Sequence, residues 1–142
     1  MLRCGSRESY KIIREDLSGN AARLESILLD GLKRIQQKHP ERVGHVSARG
    51  LVGGMQMVKT GKQPDHDTAH AIIEKCFHKG LLFFAPVGAW GQTVKIAPPL
   101  TIPAEALNEG LSVLSEAVSE VLKTDPEPAK TQQETSRRLA SD

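Results

Sequence analysis

The run Thr93-Val94-Lys95-Ile96-Ala97-Pro98-Pro99-Leu100 constrains this chain more than any other stretch. Side chains alternate along a strand, so Val94 and Ile96 point to one face while Thr93, Lys95 and Ala97 point to the other. Two prolines then end the pairing. Neither can donate to a ladder, and the first pushes Ala97 into extended backbone, so the chain leaves the sheet at a fixed place. Residues 101–107 then open a helix, with Thr101 suited to capping, Pro103 near the first turn and Glu105 at the positive end of the dipole. Lys95 is thereby a point charge held on a strand just before a rigid corner, placed to meet an anion.

A length of 142 residues predicts one domain with one modest core. A net charge of +2 argues against a dedicated binder of nucleic acid or of an anionic membrane surface. Cys4 and Cys76 lie far apart without a paired spacing, which fits reduced thiols in the cytosol better than a disulfide framework. The first residues carry no apolar run of the kind a signal peptide needs, and no segment approaches the length of a membrane span. The expectation is a soluble cytoplasmic protein.

Taken in order, residues 1–10 are polar and unpatterned and are expected to fray, and a domain is expected over 11–123. A long helix should run to about His39, since Leu17, Ala21, Leu24, Leu28, Leu32 and Ile35 recur at helical steps before His39-Pro40 stops it. Residues 43–50 read as a short strand or extended link and 51–58 as a second strand, with Gly53 and Gly54 marking close approach of other backbone. A turn is expected at 60–64, then a helix over 65–79 closed by Gly80 as a left-handed cap. The apolar run 81–86 predicts a buried strand, paired antiparallel with 93–97 across the glycine loop 87–92. Leu107, Leu111, Leu114, Val118 and Val121 stripe the last helix, and the polar residues 124–142 are expected to be a disordered tail. This order predicts an α+β fold: a two-layer sandwich in which amphipathic helices cover a small, mostly antiparallel sheet.

Several of these segments together carry a resemblance. Gly80-Leu81-Leu82-Phe83-Phe84-Ala85-Pro86, then Gly88, Gly91 and the run 94–102, with Leu-Asn-Glu-Gly-Leu at 107–111, resemble the carboxy-terminal small domain of class III aminotransferases. Upstream, Asn20-Ala21-Ala22 and the run 46–55 resemble the same family in the same order. The resemblance covers about residues 12–122 and names the ornithine, acetylornithine and 4-aminobutyrate group of pyridoxal-phosphate enzymes of fold type I. It implies a transaminase that moves an amino group from an amino acid or omega-amino acid to a 2-oxo acid, working as a homodimer. In that family the Schiff-base lysine, the aspartate on the pyridine nitrogen and the phosphate loop belong to a large domain preceding the matched region. The sequence has no Ser-Lys or Thr-Lys dipeptide and no apolar strand ending in Asp-Glu. No catalytic or cofactor-binding residue is therefore assigned, and the chain alone is expected not to transaminate.

What carries over is narrow. Many family members have a substrate-clamping arginine where this sequence has Lys95, and a lysine offers one point charge in place of a planar fork. Trp90, in a loop resembling the family's active-site mouth, is the other candidate to face substrate, set against the reading that it plugs a gap between domains. Arg49 reads as a structural salt bridge or carbonyl contact before a substrate contact. Gly50, Gly53 and Gly54 lack the spacing of a phosphate cradle, and His66 and His70 lack a third metal ligand, so no metal site is assigned. Two readings stay open: a small domain cut from a transaminase, or a stand-alone, non-catalytic binding or interaction module with that fold.

Overall fold

A computed structural model describes residues 16–124, together with Ser9 and Lys11. The expectations for 1–8, for most of the first helical turns before Ser18, and for 125–142 lie outside the described residues. Within them, α1 (Ser18–Lys38) leads to β1 (Val43–Arg49) and β2 (Val52–Met57), then α2 (His66–His78), β3 (Thr93–Ile96) and α3 (Ala104–Thr124). The three strands form one antiparallel sheet in the order β1-β2-β3. Helices α1 and α2 lie against the sheet, and α3 packs along both of them. The α+β architecture and the antiparallel sheet are as the pattern of the sequence implies.

Helices α1 and α3 bury most of the stripe their spacing predicts, with Leu111 and Val121 only partly buried against the core. Leu24, Leu28, Leu32 and Ile35 of α1 are buried, as are Leu107, Leu114 and Val118 of α3. They meet Met55, Met57, Val94 and Ile96 from the inner face of the sheet, in one continuous core. Full burial of a leucine is worth about 1.5–3 kcal/mol, so these stripes, more than helix propensity, hold the fold. Gly31 lets α1 and α3 come close: a Cβ there would sit 2.6 Å from Leu111 Cδ1. On the solvent side, Lys79 reaches Glu120 at 2.8 Å and Lys75 reaches it at 3.0 Å, tying α2 to α3 with exposed pairs of small energetic weight.

The chain's corners follow local chemistry. Arg49 and Val52 face each other across a two-residue turn in which Gly50 takes φ +56° and donates its N–H to Glu25 Oε2 at 2.6 Å. Helix α2 ends in a Schellman motif, because Gly80 at φ +83° donates to Phe77 O at 3.0 Å and Leu81 donates to Cys76 O at 2.9 Å.

One expectation fails. Residues 81–86 are not a strand, and they do not pair with 93–97; β3 pairs with β2 instead. A single bridge, Val87 to Thr93, starts the hairpin in the expected sense. The next residue back is Pro86, which has no N–H and constrains the residue before it, so the ladder stops after one rung. The run is also not buried: Leu82 is 78% exposed and Phe84 70% exposed, while Leu81 and Phe83 turn partly inward against the core.

Cys76 is fully buried on the inner face of α2, and that burial pushes its thiol up to about 11. In a Cys4→Ser variant, Cys76 is expected to react with a thiol reagent at pH 8 at least about a hundredfold more slowly in the native chain than in urea. Equal rates in the two conditions would show that α2 does not stay docked.

Candidate functional site

The site is built on the corner between β3 and α3. Val94 and Ile96 are buried, so the alternation of the strand turns Lys95 outward and leaves it exposed. In register, Lys95 stands beside Gly54, which in turn stands beside Ser47, on the sheet face away from the helices. Gly54 adds no bulk to that row; a Cβ there would touch only Thr93 Cγ2, at 3.4 Å. After Ile96 the chain turns through Pro98 and Pro99, and Ile102 N–H donates to Pro99 O at 3.0 Å to close the corner. Asn20 of α1 fastens the corner from outside, its amide donating to Leu100 O at 2.7 Å and Ile102 O at 3.1 Å.

Between this corner, the run 81–84 and α3 lies a cavity of about 390 Å³. Its walls are apolar, from Leu81 and Phe83 on one side to Ile102, Leu107 and Leu111 on the other, and Lys95 is the one charged residue on them. The arrangement can hold an apolar group with a single negative charge at the rim. It offers no general base, and no hydroxyl side chain lines it.

Trp90 is elsewhere. Its loop, 87–92, is fixed by Met57 N–H to Gln92 O at 2.8 Å and by a 3.2 Å hydrogen bond between His66 Nδ1 and Gly91 O. The ring is 70% exposed and borders a separate surface depression with Lys59, Gln63, Pro64, His66 and Asp67. Lys95 and Trp90 therefore do not line one cavity within this chain. Arg49 is exposed on the outer sheet face, and no salt bridge of the kind its sequence context allowed forms there among the described residues. The rings of His66 and His70 are 6.2 Å apart, and among the described residues no group of three or more His, Cys, Asp or Glu side chains converges.

The most connected polar group was only half visible in the sequence. Asp65 caps α2 by accepting from Thr68 N–H at 3.1 Å and Thr68 Oγ1 at 2.7 Å, and it also accepts from Arg42 Nη2 at 3.1 Å. Burial pushes its carboxyl upward, but the Thr68 hydroxyl and N–H, the Lys59 ammonium and Arg42 outweigh that and hold it below the usual carboxylate range. The spacing Asp-x-x-Thr signals the cap; nothing local signals Arg42, 23 residues away. With its oxygens engaged, Asp65 is a structural node and offers no base.

Residues 6–118 match the profile of the family Aminotransferase class-III, and the chain belongs to that family. It is 36% identical over 115 residues to a diaminobutyrate–2-oxoglutarate transaminase of Wolinella succinogenes, covering 81% of this chain and 24% of that one. It is 37% identical over 89 residues to an isoleucine 2-epimerase of Lentilactobacillus buchneri, covering 61% of this chain and 19% of the relative. Among solved structures, a Bacillus anthracis aminotransferase superposes with a TM-score of 0.69 at 29% identity, over 77% of this chain and 25% of that one. The chain thus spans about a fifth to a quarter of the length of the relatives it matches.

Membership of this family implies pyridoxal phosphate in the whole enzyme. The described residues do not fit that group. The cavity at Lys95 has apolar walls and one amine, with neither a hydroxyl nor a second cation to take a phosphate. Lys59, Lys75 and Lys79 are engaged with the carboxylates of Asp65, Asp67, Glu116 and Glu120. No chemical step through the cofactor is therefore assigned to these residues.

Proposed function

We propose that this chain is the carboxy-terminal small domain of a class III pyridoxal-phosphate-dependent aminotransferase. The whole enzyme, a cytoplasmic homodimer, transfers an amino group from an amino acid or omega-amino acid to a 2-oxo acid. The domain spans 11–123, and the missing large domain supplies the cofactor site. Lys95 and Trp90 face the substrate from this domain's side, Lys95 as a point charge for a carboxylate and Trp90 as an aromatic wall. The family match supports this reading, and one structural observation carries it: Leu82 and Phe84, both exposed, line the same cavity as Lys95. An apolar surface of that kind is what a further domain covers.

Supplied with pyridoxal phosphate, an amino donor and 2-oxoglutarate, the purified chain is expected to form no product above buffer and to bind a hydrophobic dye more strongly than an ordinary folded monomer. Turnover by the chain alone overturns its inactivity. A second reading, a stand-alone non-catalytic module, draws support from the continuous core that these elements close by themselves. An antibody against α3 separates the two in source cells: a band at several times the mass of 142 residues favours the enzyme, and a band at that mass alone favours the module.

A further inference from the structure

Trp90 is the only tryptophan of the sequence, and its ring stands 70% exposed on a loop tied down at several points. Met57 N–H donates to Gln92 O, Trp90 N–H donates to Gln92 Oε1 at 3.1 Å, and His66 Nδ1 is hydrogen-bonded to Gly91 O. The ring is therefore a preformed apolar face, and Pro64 borders the same depression. Helix α3 decides which segment comes close to it. That helix runs antiparallel to α2, since Lys79 meets Glu116 and Lys75 meets Glu120. Its last residue, Thr124, comes out beside the first turn of α2, where it lines a depression with Asp67, Thr68 and Ala71. Asp67 also borders the depression at Trp90, so the two adjoin.

The sequence continues from Thr124 as Asp125-Pro126-Glu127-Pro128-Ala129-Lys130. Alternate prolines favour polyproline II, which repeats every three residues and advances about 3 Å per residue. Residues 125–129 thus reach about 15 Å, against about 5 Å for one turn of α2. In that conformation Pro126 and Ala129 share one edge, Asp125 and Pro128 the next, and Glu127 and Lys130 the third. We infer that residues 125–129 dock on Trp90 and Pro64 of their own chain, with the two proline edges against the indole and the charged edge toward water. An aromatic face takes a proline segment of this kind because polyproline II is already extended, so little freedom is lost on binding. The inference goes beyond the transaminase reading and does not rest on it, since only residues of this chain take part. A substrate or a further domain that reaches Trp90 has to displace the segment.

A single tryptophan makes the contact directly readable by fluorescence of the full chain. Acrylamide is expected to quench Trp90 about twofold less in the parent than in a Pro126→Gly, Pro128→Gly double variant, because the docked segment covers the ring. The emission of the parent should also lie to the blue of that variant. Both proteins are first checked for the same melting transition. Glu127→Ser, on the edge that faces water, should keep the shielding of the parent, and so should the parent in high salt. Equal quenching of the parent and the proline variant overturns the inference. Shielding that Glu127→Ser or salt removes overturns it too, since charge would then hold the segment in place of the prolines. Shielding that grows with protein concentration assigns the contact to the segment of a second copy and likewise overturns it.

Discussion

An Asp65→Ala variant is expected to lose about 3 kcal/mol of stability in urea unfolding, the largest loss from any single polar residue described. The side chain is 1% exposed, and its carboxylate meets the Arg42 guanidinium at 3.1 Å and both donors of Thr68. Truncation removes the helix cap and takes the carboxylate from a guanidinium whose side chain is only 20% exposed. Asp65→Asn should lose less, because an amide oxygen still caps α2 although the charge is gone. The same group sets an acid limit. Its folded carboxyl titrates below its ordinary value of 3.8, so its contribution is complete above that value. As pH falls through the lower folded value, the contribution is lost. Unfolding free energy measured from pH 6 downward should therefore fall more steeply below about pH 4 in the parent than in Asp65→Asn. Parallel profiles would show that Asp65 is not the charged node described above.

What the sequence revealed, and what it hid, divides by the range of the interaction. Helices α1, α2 and α3 were legible because their leucine and isoleucine spacing is a local signal that core burial reinforces. The cap at Gly80 was legible for the same reason, since its φ of +83° is a property of one residue and its neighbours. Strand partners are not local. Val94 and Ile96 announce a strand, but nothing in their spacing says that β2, across the whole of α2, is its neighbour. The run 81–86 misled because apolarity was read as burial, whereas Leu82 and Phe84 keep their bulk on the surface. Lys95 was found at the place the alternation required, yet the cavity beside it is also lined by Gly110 of α3, a residue the strand pattern could not implicate. Trp90 was found on its loop, but in a different depression, because the anchors of that loop to Met57 and His66 are also long-range.

The adjacent glycines of β2 give the second large effect and separate the two faces of the sheet. A Cβ on Gly53 would lie 3.1 Å from Leu32 Cδ1 and 3.3 Å from Leu28 Cδ2, both in the core, whereas one on Gly54 meets only a methyl of Thr93. Gly53→Val is therefore expected to cost about 1–3 kcal/mol by overpacking. Leu28→Ala, at a fully buried position, is expected to cost about 2–5 kcal/mol by opening a cavity at the same place. Because the added methyls fill part of the space that the leucine vacates, the double variant should be more stable than the sum predicts by about 0.5–3 kcal/mol. Gly54→Val, on the open face and β-branched in a strand, should stay within about 0.5 kcal/mol of the parent. Urea melts of the four variants decide the matter. Strict additivity, or a Gly54 change as damaging as the Gly53 change, would mean that α1 does not press on β2 where these glycines lie. If the cycle behaves as expected, Gly53 is explained by α1 against the sheet, and the pair needs no phosphate to account for it.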